Sequence, residues 1–450
     1  MKLEKTENYK RIIIGGLIAV VVITTLILTT SKAKYKNVQS IDLASGTINY
    51  TPADIDLVAI QIENDNGEYL ASNAVPISGY ALSNKSYCNV NGEKDTDINI
   101  VYQNGKIGIN NVAKKAKYYL YFDQGIKTAI GIIKDNGEKI SFTGIADSSD
   151  TGIYKAPDDY GTSYYYRGLE GSLNNWVRFA GFYWRIIRIN GNGTVRMIYS
   201  GIDNGNITNA NRIGISTQIN EAEYKYNLTY SDNTYVGYMT GDAGAINYVN
   251  AHQNKANSNV KTIIDNWYAT NVENNGEYKK YIDINTGFCN DREIADGHSN
   301  YTEGGYKIGR TVYKPADRVM IANLSSWKTT QNPTLQCANK ERDLFTVTSA
   351  NEGNKKLTYP VGLISSDEVV FAGGFGGTNN STFYLYTNRI YWTMSPSHTM
   401  DAHVFVMNSN GGLDNYWLVH NGFGLRPVIN LKADTKFSGS GSESDPYIVI

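Results

Sequence analysis

Cysteine is scarce in this chain, with only Cys88, Cys289 and Cys337. So low and odd a number excludes a small disulfide scaffold, although an exported chain still has room for one bridge. The three show no Cys-x-x-Cys or Cys/His spacing, so a structural zinc site has no ligand set. Charge is scarce as well. Charged residues make up 19% and the formal net charge is -1, so nothing in the balance points to nucleic acid. What is plentiful is tyrosine at 35, glycine at 43, and asparagine throughout. Tyrosine offers rigid amphipathic area and asparagine offers both donors and acceptors, which suits an adaptable contact surface. The same composition fits a β-rich exported protein from an A/T-rich genome, and composition alone does not separate the two.

The chain has 450 residues, room for two to three domains of roughly 150 each. Residues 12–30, IIIGGLIAVVVITTLILTT, are uncharged and mostly apolar, about the length that spans a bilayer core. A cleaved signal peptide has a shorter apolar core and a small-residue site, and Ser31-Lys32-Ala33 is a weak one. The segment reads as an uncleaved signal anchor, with residues 1–38 as cytoplasmic tip and transmembrane helix. Lys2, Lys5, Lys10 and Arg11 precede it, and Lys32, Lys34 and Lys36 follow, so the positive-inside rule only leans towards a cytoplasmic N-terminus. The Tyr- and Asn-rich, charge-poor remainder favours export. A type IV prepilin is a rival for such a start, but its Glu inside the apolar run is missing.

Residues 39–125 read as a small all-β sandwich domain. Ile55–Ile62 alternates, Ile98–Tyr102 and Ile107–Ile109 flank an Asn104-Gly105 type I′ turn, and Lys117–Asp123 (KYYLYFD) is a further strand. Residues 126–160 read as a linker, with one more hairpin over Ile130–Phe142 and a polar run from Ala146 to Tyr160. In the remainder, 161–450, Trp176–Asn190 runs through Gly191-Asn192-Gly193 into Thr194–Tyr199. This is a long hairpin, apolar on both faces and therefore central in its sheet. Val260, Ile263, Ile264 and Trp267 form a helical stripe capped by Ser258 or Asn259. Ser365 and Glu368 make a capping box for a helix through Ala372 that stops at Gly373. The Asn/Gly-rich stretches 200–257 and 270–318 read as loops or lids, or else contain short elements.

The stretch Arg389–Leu431 is the most informative. His403–Asn408 is a β-rich run, Ser409-Asn410-Gly411-Gly412 a turn, and Leu413–Val419 a second strand. Gly424–Leu431 closes as an apolar strand whose Pro427 places it on an edge or after a bulge. The residues Tyr391-Trp392-Thr393-Met394-Ser395-Pro396, Val404–Gly411 and Gly424–Ile429 resemble the end of the C-type-lectin-like fold. That fold is shared by formylglycine-generating (sulfatase-modifying) enzymes, the variable proteins of bacterial diversity-generating systems, and many bacterial surface proteins. Trp176–Gly201 is similar to the first sheet of that surface group, and residues 40–125 to its membrane-proximal β-sandwich. The resemblance implies an α+β chain: one transmembrane helix, an all-β sandwich, then a lectin-like domain of antiparallel sheets, two short helices and long loops.

It implies more. The GFCNDR and PTLQC contexts recur in that group, which implies a Cys289–Cys337 disulfide in an exported chain. The group's KYYLYFD strand carries a cysteine opposite the one in SYCNVNG. Here Tyr118 and Tyr119 stand there, leaving Cys88 as a lone thiol or one that pairs between chains. In the diversity-generating relatives the ligand-contacting residues lie near the C-terminal strands. The matching ligand-binding candidates are Asn408, Asn410, Asp414, Asn415, Tyr416, Trp417, His420 and Asn421. Aromatics anchor such faces and amides adapt them; the alternative is a solvated hairpin with Trp417 in the core.

Other constellations carry less. His398, His403 and His420 cluster in sequence with Asp401 among them, but the hairpin puts His403 and His420 on separate strands, and surface roles outweigh a metal site. The Trp-Asn-Asp and Glu-Pro-Asn types of calcium-lectin motif are absent; calcium through the Asp414-Asn415 region stays open as the lesser alternative, because a hard-cation site needs several converging oxygens. Formylglycine chemistry needs reactive cysteines near the C-terminal core, and none follows Cys337. Trp184, Trp267, Trp392 and Phe405 read as core, Arg426 as structural, and Asp291-Arg292 and Glu341-Arg342-Asp343 as ion pairs or solvated loop residues. The expectation is a non-catalytic, cofactor-free binding or adhesion protein at the cell membrane, its C-terminal region outside, with an unknown glycan or protein as ligand. A pilin-like envelope subunit, or an enzyme on the sulfatase-modifying fold, is the alternative. Protease treatment of intact cells should therefore remove the head, whereas protection of both the head and a cytosolic marker would reverse the orientation.

Overall fold

The computed structural model describes residues 55–64, 67–76, 80–95, 100–103, 106–109, 116–136, 146–245, 247–295, 311–319, 332–347, 352–399, 401–415 and 417–450. The apolar segment 12–30 lies outside the described residues, and no helix within them is long and apolar enough to cross a membrane. The described chain is mixed α+β, about 18% helix and 38% strand in several sheets. It divides into two compact units that meet in sequence between Gln124 and Gly125.

Alternation decides the first unit. Along Ala116–Gln124 every second residue (Ala116, Tyr118, Leu120, Phe122) is buried, the period of a strand with one covered face. This strand pairs parallel with Ile55–Glu63 and antiparallel with Tyr80–Leu82 and Tyr87–Val90. The Ile100–Gln103/Lys106–Ile109 hairpin forms as the sequence indicates, its turn lying outside the described residues, and packs over that face. Tyr102 meets Phe122 edge-to-face at 5.0 Å. The register sets Cys88 opposite Tyr118, and the thiol is buried and free. Pairing with another chain would first have to expose it.

The second unit is built on two sheets. In the larger, Phe182–Ile189 and Val195–Ile202 pair antiparallel and are buried almost end to end. Both faces are covered, as an apolar hairpin without alternation requires. Between Trp176–Phe179 and Phe182–Ile189 the chain reverses in two residues, Ala180 and Gly181, at φ 55° and 79°. This is the primed geometry that matches strand twist; glycine adopts it freely and Ala180 at a steric cost. Tyr447–Val449 pairs parallel with Trp176–Phe179 and brings the chain's last strand beside the hairpin. The smaller sheet runs Glu223–Lys225, Gly422–Gly424, Tyr391–Thr399, Ala402–Met407, Gly412–Asp414, Phe375–Gly376. Trp184, Trp392 and Phe405 are fully buried and Trp267 nearly so, as expected of core aromatics.

The two anticipated helices are present. Asn259–Tyr268 starts at Ser258, whose side chain accepts from Lys261 N, and buries Val260, Ile264 and Trp267. The helix also buries Lys261 and Asp265, which pair at 2.6 Å one turn apart. Ser366–Ala372 has the full capping box, with Glu368 N donating to Ser365 Oγ at 3.1 Å and Ser365 N to Glu368 Oε2 at 3.0 Å, and it ends at Gly373 at φ 122°.

Several expectations are corrected. The first arm of the hairpin expected over Ile130–Phe142 is instead an α-helix, Ala129–Asn136, because Ala129, Ile132 and Ile133 share one face and reach the main core; residues 137–142 lie outside the described residues. The polar run Ala146–Tyr160 is no linker, since Gly152–Asp158 pairs with Gly161–Arg167 and that hairpin joins the large sheet at Tyr164↔Ile189. The second unit accordingly begins near Gly125 rather than at 161. Leu413–Val419 is a strand only as Gly412–Asp414; beyond it one bridge, His403↔Leu418, remains. Gly424–Leu431 is two strands in different sheets, Gly422–Gly424 and Val428–Leu431. Pro427 marks the crossing. It cannot donate, its carbonyl accepts from Tyr199 N at 2.9 Å, and Val428–Leu431 then lies between two neighbours, not on an edge. The stretch 200–257 holds short helices at Asn209–Arg212 and Tyr248–Ala251, and the described part of 270–318 holds Gly276–Lys279 and Lys314–Val319, all too short for periodicity to reveal.

Cys289 and Cys337 are joined, their Cα atoms 5.7 Å apart across a separation of 48 residues. Closing that loop restricts the unfolded chain, a stabilisation of roughly 4 kcal/mol in the chain-entropy account. The Cys289→Ser/Cys337→Ser double variant should shift the urea midpoint down by a corresponding amount. An unchanged midpoint would show that the bridge adds nothing beyond the local packing.

Candidate functional site

The predicted ligand residues fall on the segment that leaves the small sheet after Gly412–Asp414. Asp414 organises it, because its Oδ2 accepts from Asn408 Nδ2 at 3.1 Å and from Trp417 Nε1 at 3.0 Å. Side-chain bonds thus replace a strand ladder, the usual reason a β-rich run leaves its sheet. Asn410 is exposed and holds the turn, its Oδ1 accepting from Gly412 N at 2.9 Å. Trp417 is half-buried, edge-on to Phe423 at 5.0 Å. Asn415 is buried; Ser397 Oγ donates to its carbonyl at 3.0 Å, while its Nδ2 has no partner among the described residues. His420, half-buried, stacks on Tyr230 at 4.3 Å, and its Nδ1 is likewise buried and unpartnered. Asn421 is half-buried, its N–H donating to Leu418 O. Tyr416 lies outside the described residues. The fold therefore gathers Asn408, Asp414 and Trp417 into one bonded group and takes His420 to Tyr230 instead.

His398 belongs to the Tyr391–Thr399 strand, and His403 binds the Asp401 carbonyl through Nδ1. Among the described residues no group of three His, Cys, Asp or Glu side chains is placed to hold a metal ion.

Beside the disulfide lies a buried charge network whose residues form no sequence motif. Arg188, in the central hairpin, reaches Asp158 Oδ2 at 2.8 Å and Glu368 Oε1 at 3.0 Å, and Arg196 Nε lies 2.5 Å from the same Glu368 oxygen. Arg318 pairs with Asp291 and Asp367, and Arg292 with Asp343, all at 2.8 Å. Asp291-Arg292 and Asp343 are therefore buried structural pairs rather than solvated loop residues. Burial alone would raise the Glu368 carboxyl, but the guanidinium charges of Arg196 and Arg188 outweigh it and hold Glu368 below the usual range. Asp291 moves the other way, its burial exceeding the pull of Arg318. The cavity among these groups is about 30 Å³, space for a water or two and far below a substrate cleft. Arginines inside a doubly buried apolar hairpin were the available signal, since such a charge requires a buried partner.

Comparison with protein-family models, with curated proteins and with solved structures returns no match to this chain.

Removing Glu368 leaves Arg188 and Arg196 short of a buried counter-charge, a loss on the order of 3–5 kcal/mol. Glu368→Gln should show that loss in urea unfolding at neutral pH. The folded carboxyl is depressed, so its contribution is complete above the unfolded value of about 4.3 and fades as pH falls through the folded value. The gap between wild type and Glu368→Gln should narrow below about pH 4; a pH-independent gap would contradict the pairing.

Proposed function

We propose that the chain is a membrane-anchored extracellular binding or adhesion protein, non-catalytic, which recognises a glycan or protein ligand through the Asn408–Asn421 surface. The observation that carries this reading is the pair of orphaned polar atoms on that segment, Asn415 Nδ2 and His420 Nδ1. An unsatisfied buried donor or acceptor costs about 1–3 kcal/mol, which a ligand's complementary group recovers. Half-buried Trp417 supplies an aromatic anchor, and exposed Asn410 an adaptable amide at the rim. Two antiparallel-rich sheets, the two helices and the long irregular connections support a C-type-lectin-like head, and residues 12–30 supply the anchor.

The test uses the full-length chain against a glycan array and a cell-surface protein extract. Asn415→Ala and Asn410→Ala should each weaken capture about tenfold, a change of about 1.4 kcal/mol. Asn415→Ala should not lower the thermal midpoint, since it loses no side-chain hydrogen bond, and Asn410→Ala should cost no more than the one bond to Gly412 N, about 1 kcal/mol. Loss of stability in both, or undiminished capture, would make this segment scaffold.

A further inference from the structure

A second surface in the same unit is built like a ligand site and shares no residue with Asn408–Asn421. The end of the central hairpin, the turns between Thr208 and Glu221, and the helix around Trp267 enclose a cleft of about 270 Å³. That lies just below the usual range of ligand clefts, about 300 to 1,000 Å³.

One wall is aromatic. Phe182, Tyr199 and Trp267 touch one another, with ring centroids 5.2–5.5 Å apart. Tyr199 and Trp267 are buried behind Phe182, which is partly open, and Ile202 beside them is 53% exposed. The rest of the lining is mostly amide and hydroxyl, including Asn204, Ser216, Gln218 and Asn220. Among the described residues no Lys, Arg or His lines the cleft, and Glu221 is the only charged one that does.

Gln218 carries the argument furthest. It is 1% exposed and lines the cleft. Its Nε2 donates to the Ile390 carbonyl at 3.0 Å, which fixes the amide orientation because the opposite flip would set two oxygens together. Oε1 is then left without a partner among the described residues. The amide fits there only because position 424 is glycine; a Cβ on Gly424 would come within 1.8 Å of Gln218 Cδ. Next to it, Asn220 and Glu221 both hold positive φ, 56° and 49°. Two adjacent non-glycine residues in that region cost on the order of 1–3 kcal/mol each, and such outliers gather at binding sites.

We propose that this cleft binds a neutral saccharide. A sugar ring offers an apolar C–H face to an aromatic wall and hydroxyl donors to an unpaired amide oxygen. An anionic ligand would find no counter-charge. A cationic ligand needs rings spaced around it, whereas these three are packed against each other into a single wall.

The full-length chain, in a detergent free of sugar headgroups, is tested by saturation-transfer NMR and calorimetry. The probes are lactose, maltose, cellobiose, N,N′-diacetylchitobiose and methyl mannoside, with choline chloride and inorganic phosphate beside them. At least one of the five saccharides should bind with a dissociation constant on the order of 1 mM or below, with transfer strongest at ring C–H protons. Gln218→Met should weaken it about tenfold or more; Asn204→Ala, at an exposed position, gives the same readout if Gln218→Met does not fold. Val249→Ala, at an exposed position outside both surfaces, should leave it unchanged. Absence of binding by all five overturns the proposal. So does saccharide binding that survives both Gln218→Met and Asn204→Ala, or binding of choline alone that is lost in Glu221→Gln.

Discussion

A single carboxylate joins the two levels on which the second unit is built. Glu368 closes the capping box of its own helix through Ser365 N, and the same side chain meets Arg188 and Arg196 from the two strands of the central hairpin. Helix start and hairpin are therefore held by one buried group. An uncompensated charge in that position would be far more costly than a lost surface pair, so the helix cannot slide along the sheet without leaving Arg196 short of its carboxylate and Arg188 with Asp158 alone. The Asp158 contact to Arg188 extends the constraint to the Gly152–Asp158/Gly161–Arg167 hairpin, which explains why so polar a stretch is ordered.

The chain's passage between sheets depends on a second buried guanidinium. Arg426 sits between Gly422–Gly424 and Val428–Leu431, donating to the Tyr199 carbonyl at 3.0 Å and to Leu385 O and Ser200 Oγ at 3.3 Å each. It also lies 5.1 Å from the centre of the Tyr391 ring. Burial lowers its pKa, and its partners are backbone and hydroxyl oxygens rather than a carboxylate. The fork geometry of arginine lets one side chain satisfy groups from three segments at the point where the backbone leaves one ladder for another.

Both proposed binding surfaces follow one arrangement. Irregular segments carry the polar groups, and the sheets beneath hold them still. Asp414 fixes Trp417 by a hydrogen bond, and Gly424 leaves the space that seats Gln218. Function placed on connections over a rigid scaffold needs little regularity in the connections themselves.

Much of this was legible from local pattern. The alternation in KYYLYFD, the doubly apolar hairpin, the Ser258 cap and the Ser365–Glu368 box are each written within a few residues, so they read directly. The Cys289–Cys337 bridge was readable only through resemblance. What stayed hidden depended on partners far away in sequence. Ala129, Ile132 and Ile133 have helical spacing, yet the neighbouring Asp135-Asn136-Gly137 reads as a turn; burial against the core decided for helix. The polar stretch before Tyr160 reads as a linker until Arg188 supplies a buried counter-charge from 30 residues on. The periodic elements follow from the amino-acid order, because hydrophobic spacing and caps act over one or two turns. Which strands share a sheet, where Pro427 switches between them, and which polar atoms, such as Gln218 Oε1, lack a partner among the described residues are settled by long-range packing. Those outcomes turn on contacts between segments hundreds of residues apart, and burial, which sets their energy, exists only once the segments have met.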